Sequence, residues 1–163
     1  MVQDDKSLLT RLNQHGVEFV IIGGVCGIMH GTTLVTTDLD VCCRFTPSNL
    51  RRLESAVKDL HPIHRLTANK LPFELTDELC HALMNVYLRT DLGKLDCLGS
   101  VKGVGDYEQV LKHSVVFQLS YGNFRILDLD TLITSKEALG RARDLEAVRQ
   151  LRAVKERNER GQT

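Results

Sequence analysis

The sequence predicts an α/β fold, in which a mixed β-sheet packs against helices. Short β-branched segments that suit buried strands alternate along the chain with amphipathic helical segments. Residues 17–22 form the first such strand, which runs into the glycine pair Gly23-Gly24. A short helix fits between this pair and a second strand at residues 39–45. Strand, helix and strand in this order are typical of an α/β core.

Helices are predicted where apolar residues recur every three or four positions behind a capping residue. Leu8, Leu9 and Leu12 form one such apolar stripe near the N-terminus. Further along, Thr46 supplies a hydroxyl cap and Pro47 occupies the first helical position. The predicted helices cover residues 4–15, 24–30, 46–61, 128–139 and 142–154.

The later strands are shorter and are separated by turn residues. They cover residues 85–88, 93–98, 114–120 and 124–127. Residues 61–82 contain two prolines and mixed polarity, and we interpret them as a mobile loop or a substrate-specific insertion. Residues 103–107 are predicted to be a loop. We expect one domain over residues 1–154, followed by a polar, frayed tail at 155–163.

Composition excludes several classes of protein. The 163 residues balance 21 basic against 21 acidic side chains, so bulk charge gives no argument for nucleic-acid binding, although a local basic patch stays open. The N-terminus lacks an apolar signal-peptide core, and no apolar run approaches the roughly 18 residues of a membrane span. The five cysteines show no zinc spacing and are predicted to be buried and reduced. We therefore expect a cytoplasmic protein without a membrane partner.

The second strand begins with two carboxylates, Asp38 and Asp40. Side chains two residues apart on a strand point to the same face, so this pair aims together while Leu39 and Val41 face a core. Two carboxylates on one face repel each other unless a cation lies between them, which is the arrangement that Mg²⁺ or Mn²⁺ requires. The simpler interpretation is a solvated pair at the start of a strand.

Two further features complete the candidate site. Gly23 and Gly24 allow a tight turn and a close approach of the backbone to a phosphate at a helix N-terminus, although such pairs also occur in plain turns. Asp96 lies between the apolar Leu95 and Cys97 and would add a third carboxylate from a neighbouring strand. The alternative for Asp96 is an exposed strand residue after a turn. Together these features predict a site for a metal–nucleotide complex.

These motifs resemble those of the nucleotidyltransferase superfamily of the DNA polymerase β type. The resemblance is closer to small bacterial nucleotidyltransferases, including the catalytic domains of AbiEii-type toxins of type IV toxin–antitoxin systems. It rests on the glycine-rich opening, the paired aspartates, the third-aspartate strand and two C-terminal segments. In order, these are GGVCGIMHG at 23–31, TTDLD at 36–40, LGKLDCLG at 92–99, LITSK at 132–136 and GRARD at 140–144.

The resemblance implies transfer of a nucleoside monophosphate from a nucleoside triphosphate to an acceptor hydroxyl, with release of pyrophosphate. It implies two Mg²⁺ ions, or Mn²⁺ in their place, held by Asp38, Asp40 and Asp96 as metal ligands and catalytic residues. The acceptor would be a tRNA 3′ end, a protein hydroxyl or a small molecule such as an aminoglycoside. The alternative function is a catalytically silent or partner-dependent nucleotide-binding module, with an antitoxin or other protein as its partner.

The resemblance also assigns nucleotide-binding residues, which are Gly23, Gly24, Thr37 and Lys136. Thr36 is an equal candidate to Thr37, since each can bond a phosphate or only the local backbone. Arg141 and Asp144 are expected to support the C-terminal helices, and His30 is expected to be a packed or capping residue rather than a general base. Related sequences often carry an arginine a few residues before the aspartate pair. Leu34 stands near that place here, so we expect triphosphate binding to be weaker or differently built.

Overall fold

The structure, a computed structural model, describes residues 2–161 and contains a seven-stranded sheet. The strands of this sheet are β1 (Phe19–Ile22), β2 (Asp38–Cys43), β3 (Ile63–His64), β4 (Asn85–Thr90), β5 (Gly93–Leu98), β8 (Ser114–Leu119) and β9 (Gly122–Leu127). Between them in sequence, β6 (Ser100–Val101) and β7 (Gly105–Asp106) form a separate small sheet. The strand order is β3-β4-β5-β2-β1-β9-β8. Because β2–β5 and β1–β9 are parallel and the other pairs antiparallel, the predicted mixed α/β sheet is confirmed.

The helices within residues 2–161 begin and end largely where the capping residues predict. They are α1 (Asp5–Gln14), α2 (Gly23–His30), α3 (Pro47–Val57), α4 (Asp77–Ala82), α5 (Tyr107–Lys112), α6 (Leu129–Leu139) and α7 (Ala142–Arg160). The side chains of Asp4, Thr46 and Asp128 accept hydrogen bonds from the first turns of α1, α3 and α6. Gly140 ends α6 in the left-handed conformation that suits a glycine.

The structure differs from the sequence predictions of local structure at three places. Helix α7 continues to Arg160 instead of ending at Val154, because the charged residues that follow are good helix formers and Lys155 pairs with Asp130 at 2.9 Å. Of the predicted tail, residues 162 and 163 lie outside the described residues. The segment 61–82 contains β3 and α4, and α5 begins within the loop predicted at 103–107. These elements have two to six residues, too few to produce a clear periodicity.

Alternating burial along the central strands separates the core from the site. Leu39, Val41, Leu95 and Cys97 are fully buried on one side of β2 and β5. The five cysteines are buried and free, as predicted. Across the described part of the chain, no helix combines the length and the apolar character needed to cross a membrane.

Asn49 ties helix α3 to the central strands, and its removal is expected to destabilise the fold. Its buried side chain accepts from the Glu18 backbone N–H at 2.8 Å and donates to the backbone oxygens of Glu18 and Arg44 at 3.0 and 2.8 Å. Asn49→Ala would remove these three hydrogen bonds, costing about 2–3 kcal/mol of unfolding free energy. Urea denaturation measures the loss. The exposed neighbour variant Ser48→Ala serves as the control, and equal stability of the two variants would contradict this role.

Candidate active site

The register of two parallel strands brings the three predicted carboxylates together. Asp40 on β2 lies opposite Asp96 on β5, and Asp38 precedes Asp40 by two residues on the same strand. One carboxylate oxygen from each residue lies within 4.8 Å of the others. The alternation of β2 and β5 therefore gathers three acidic side chains at one place, opposite the apolar residues that fill the core.

Burial and mutual repulsion shape the charges of this triad. Burial, followed by the neighbouring carboxylates of Asp38 and Asp96, raises the pKa of Asp40 to about 7. Burial also raises the pKa of Asp96, although a hydrogen bond and the positive charge of Arg65 oppose that rise. Three clustered carboxylate oxygens of this kind form a donor set that suits a hard divalent cation such as Mg²⁺ or Mn²⁺.

The glycine pair fits between strand β1 and the triad because it has no side chains. Gly23 has a φ of +66°, and a Cβ atom at this position would lie 2.4 Å from Oδ2 of Asp40. A Cβ atom on Gly24 would lie 2.9 Å from Oγ1 of Thr36. The two glycines thus allow the N-terminus of α2 to approach the carboxylates closely. No side chain caps this helix, so the N–H groups of its first turn are available to an anion.

An open cleft of about 860 Å³ lies over the triad and the glycine turn. The three aspartates and the two glycines line it together with Thr36. Basic side chains from the turn after β6, from α6 and from the start of α7 also line this cleft. These are Lys102, Lys136, Arg141 and Arg143. The cleft therefore places a group of cations and a group of carboxylates within reach of one ligand.

The carboxylate of Asp144 lies close to two of these basic side chains. Its side chain is 2% exposed, and its Oδ2 lies 2.6 Å from Nε of Arg141 while its Oδ1 lies 4.0 Å from Nζ of Lys136. Burial opposes ionisation of Asp144, but the hydrogen bond and charge of Arg141 and the charge of Lys136 bring its pKa below the ordinary value. Burial lowers the pKa of Lys136, and the charge of Asp144 opposes this effect.

The two remaining sequence candidates lie elsewhere. Thr37 is exposed and lines a hollow with Gln3 but not the cleft, whereas Thr36 lines both and donates to the Asp38 backbone oxygen at 3.0 Å. His30 contacts the Leu127 backbone oxygen through Nε2 at 2.7 Å, joining α2 to β9. His30 is thus the packed histidine that the sequence predicts.

Arg65 is a residue of the site that the sequence analysis missed. It follows β3, and its Nε donates to Oδ1 of Asp96 at 3.0 Å while its Nη2 contacts Oδ2 of the same carboxylate. Nη2 also lies 3.8 Å from Oδ2 of Asp38. Arg65 is separated from Asp96 by 31 residues and lies in the segment without periodicity, so no local pattern indicated this contact.

Comparison with known proteins gives matches at the level of structure. No protein-family model and no curated protein sequence matches this chain. TM1012 of Thermotoga maritima, assigned to the nucleotidyltransferases, is 16% identical, with a TM-score of 0.57 over 89% of this chain and 88% of its own. The antibiotic-resistance factor ANT(2'')-Ia, in complex with adenylyl-2''-tobramycin, is 12% identical, with a TM-score of 0.54 over 96% and 95%. A nucleotidyltransferase-like protein of Paracoccidioides brasiliensis is 14% identical, with a TM-score of 0.56 over 94% and 77%.

These similarities define the class of fold. The chain has the nucleotidyltransferase fold, with its mixed seven-stranded sheet and surrounding helices. At sequence identities this low, the similarities show the fold and not the activity or substrates of this chain. The narrower resemblance to AbiEii-type toxins stays a prediction.

Proposed function

We propose that this chain is a metal-dependent nucleotidyltransferase, which moves a nucleoside monophosphate from a nucleoside triphosphate to an acceptor hydroxyl and releases pyrophosphate. The observation that carries this proposal is the cluster of Asp38, Asp40 and Asp96 beside the uncapped N-terminus of α2, within a nucleotidyltransferase fold. Carboxylates for a cation and helix N–H groups for phosphate are the two requirements of a metal–triphosphate complex.

The acidic residues would hold the divalent ion, with Mg²⁺ as the first candidate and Mn²⁺ as the second. Asp38 and Asp40 form the main ligand pair, and Asp96 is the third carboxylate of the cluster. When bound, the ion supplies positive charge to the phosphate oxygens as pyrophosphate leaves. The protein contributes by fixing the reactants in position and by excluding unproductive orientations.

The triphosphate would extend from the first turn of α2 towards the basic side of the cleft. Gly23 and Gly24 supply backbone N–H groups, and Thr36 takes the place first assigned to Thr37 because it lines the same cleft. Leu34 stands near the place where related sequences often carry an arginine. The basic side chains that line the cleft would supply positive charge to the triphosphate in the absence of that arginine. Lys136 is the residue among them for which we infer a direct phosphate contact, since Asp144 holds its ammonium group beside the cleft.

Lys136→Gln is expected to weaken triphosphate binding by about tenfold to hundredfold, because one charge-assisted hydrogen bond is lost. Titration calorimetry with Mg²⁺ present measures the effect. The matched control is Lys155→Gln on α7, whose ammonium group pairs with Asp130 outside the cleft. An equal loss of affinity in both variants would show that Lys136 acts through general charge and not through contact.

The acceptor is one of three candidates: an RNA 3′ end, a protein hydroxyl or a small molecule. The structure of ANT(2'')-Ia with adenylyl-2''-tobramycin concerns a small-molecule acceptor in that protein. The alternative function, a silent or partner-dependent nucleotide-binding module with an antitoxin-like partner, uses the same cleft without transfer. We infer that the protein acts in the cytoplasm as one domain, which extends beyond the predicted boundary at residue 154 because α7 continues to Arg160.

Transfer of label from α-phosphate-labelled ATP, GTP, CTP and UTP tests the proposal, with total tRNA, cell protein and a panel of aminoglycosides as acceptors. Label transfer to an acceptor that requires Mg²⁺ and is absent from Asp38→Ala/Asp40→Ala would support it. Triphosphate binding without transfer to any acceptor would favour the silent or partner-dependent module. Transfer that survives the double substitution would show that the reaction occurs at another site.

A further inference from the structure

Resting on the proposed function, we propose that Arg65 takes the position of the second divalent ion in this chain. The protein then uses one ion, held by Asp38 and Asp40, while the guanidinium group of Arg65 supplies the positive charge beside Asp96. Asp96 is accordingly a partner of Arg65 and not a metal ligand. This differs from the two-ion site that the sequence resemblance implies.

Arg65 engages both oxygens of Asp96. Nε donates to Oδ1 at 3.0 Å, and Nη2 contacts Oδ2. This is the bidentate arrangement in which a guanidinium group matches a carboxylate best. The side chain of Asp96 is 7% exposed, so little of it remains accessible to another ligand. An ion bound to Asp96 would have to displace Arg65 or lie against its positive charge.

Backbone hydrogen bonding holds Arg65 beside Asp96. Its N–H donates to the Tyr87 backbone oxygen at 3.0 Å, and Tyr87 lies opposite Asp96 in the β4–β5 pairing. The guanidinium carbon lies 5.8 Å from the centre of the Tyr87 ring, and Lys70 contacts the Arg65 backbone oxygen. The strand pair that carries Asp96 therefore also anchors Arg65.

The other two carboxylates of the triad have no comparable basic partner. Within residues 2–161, Asp40 makes no ion pair with a basic side chain, and Asp38 has only the 3.8 Å approach of Arg65. Asp38 and Asp40 are therefore the two carboxylates of the triad that lack a bidentate basic partner and require a cation. One divalent ion satisfies that requirement.

Counting bound ions tests the inference independently of activity. Crystals are soaked with Mn²⁺ and inorganic tripolyphosphate, which represents the phosphate chain of any nucleotide, and anomalous diffraction at the manganese edge locates each ion. We expect one peak at Asp38 and Asp40 in the wild type, unchanged in Asp96→Asn. Arg65→Gln should show a second peak at Asp96. Arg65→Lys, which retains the positive charge, should show only the single peak at Asp38 and Asp40. Arg89→Gln on β4, whose side chain lies outside the cleft, is the control and should also show one.

The outcomes separate this inference from the proposed function. Two manganese peaks in the wild type, the loss of an ion in Asp96→Asn, or a single peak in a folded Arg65→Gln would overturn the role of Arg65 and leave the transferase proposal standing. No ion at the triad in the wild type would overturn both. Circular dichroism and the Tm of each variant confirm that it is folded before its ions are counted.

Discussion

Asp40→Asn is expected to abolish nucleotidyl transfer and, at the same time, to stabilise the metal-free protein. The substitution removes one of two main metal ligands, so we expect transfer to fall by at least about 10³-fold, equivalent to several kcal/mol. It also removes a partly buried carboxylate that is repelled by Asp38 and Asp96. At pH 8 the Tm in the absence of metal should rise by about 2–4 °C, which corresponds to roughly 1 kcal/mol for a chain of this size.

The pH dependence of stability follows from the same carboxylate. Its pKa rises from 3.8 in the unfolded chain to about 7 in the native protein, so the native state binds more protons between these values. Stability of the metal-free wild type should therefore fall as pH rises through this range, and reach its lower limit above about pH 7. In the Asp40→Asn variant this decrease should be smaller.

Thermal unfolding in EDTA between pH 4.5 and 8.5 measures both effects. Asp130→Asn is the control, because Asp130 is an exposed carboxylate outside the triad that pairs with Lys155. Its Tm should change little, and its activity should be unaffected. A Tm for Asp40→Asn at or below that of the wild type at pH 8, or retained transfer activity, would contradict the account of the triad.

Gly23→Ala is the second change with a large expected effect. The new methyl group would lie 2.4 Å from Oδ2 of Asp40, so the carboxylate must move, and the φ of +66° adds strain for any residue with a Cβ atom. We expect a loss of about 1–2 kcal/mol in stability from the backbone conformation. Displacement of Asp40 should in addition weaken Mg²⁺-dependent triphosphate binding by about tenfold or more, equivalent to about 1.4 kcal/mol.

Gly140→Ala provides a matched control for this prediction. Gly140 has the same φ of +66°, but a Cβ atom there would meet only the Glu137 backbone oxygen at 3.6 Å. Gly23→Ala should lose at least as much stability as Gly140→Ala in urea denaturation, while only Gly23→Ala loses triphosphate affinity in calorimetry. Equal affinities in the two variants would show that the close approach of Gly23 to Asp40 has no role in binding.

The period-two pattern of β2 and β5 made the core of the site predictable. Because Leu39 and Val41 are apolar, Asp38 and Asp40 had to share the other face, and the same reasoning applied to Asp96. If the same alternation is extended two residues towards the N-terminus, Thr36 shares a face with Asp38, whereas Thr37 lies on the opposite face. The pattern therefore favours Thr36 over Thr37 as a residue of the site. The cleft contains Thr36, in agreement with that extension.

Arg65 could not be predicted in the same way. It follows a strand of two residues, and its contact with Asp96 depends on the pairing of β3, β4 and β5 rather than on a local pattern. The short helix α5 and the extension of α7 were missed for related reasons. The first is too short for periodicity, and the second is stabilised by helix propensity and ion pairs without an apolar stripe.

The most direct test of the central claim is calorimetric titration of ATP, GTP, CTP and UTP into the wild type, with and without Mg²⁺, and into Asp38→Ala/Asp40→Ala. The account predicts that at least one triphosphate binds the wild type only when Mg²⁺ is present, and that the double substitution abolishes this binding in a folded protein. Absence of binding by every triphosphate with Mg²⁺ present, or binding that ignores both the metal and the double substitution, would contradict it.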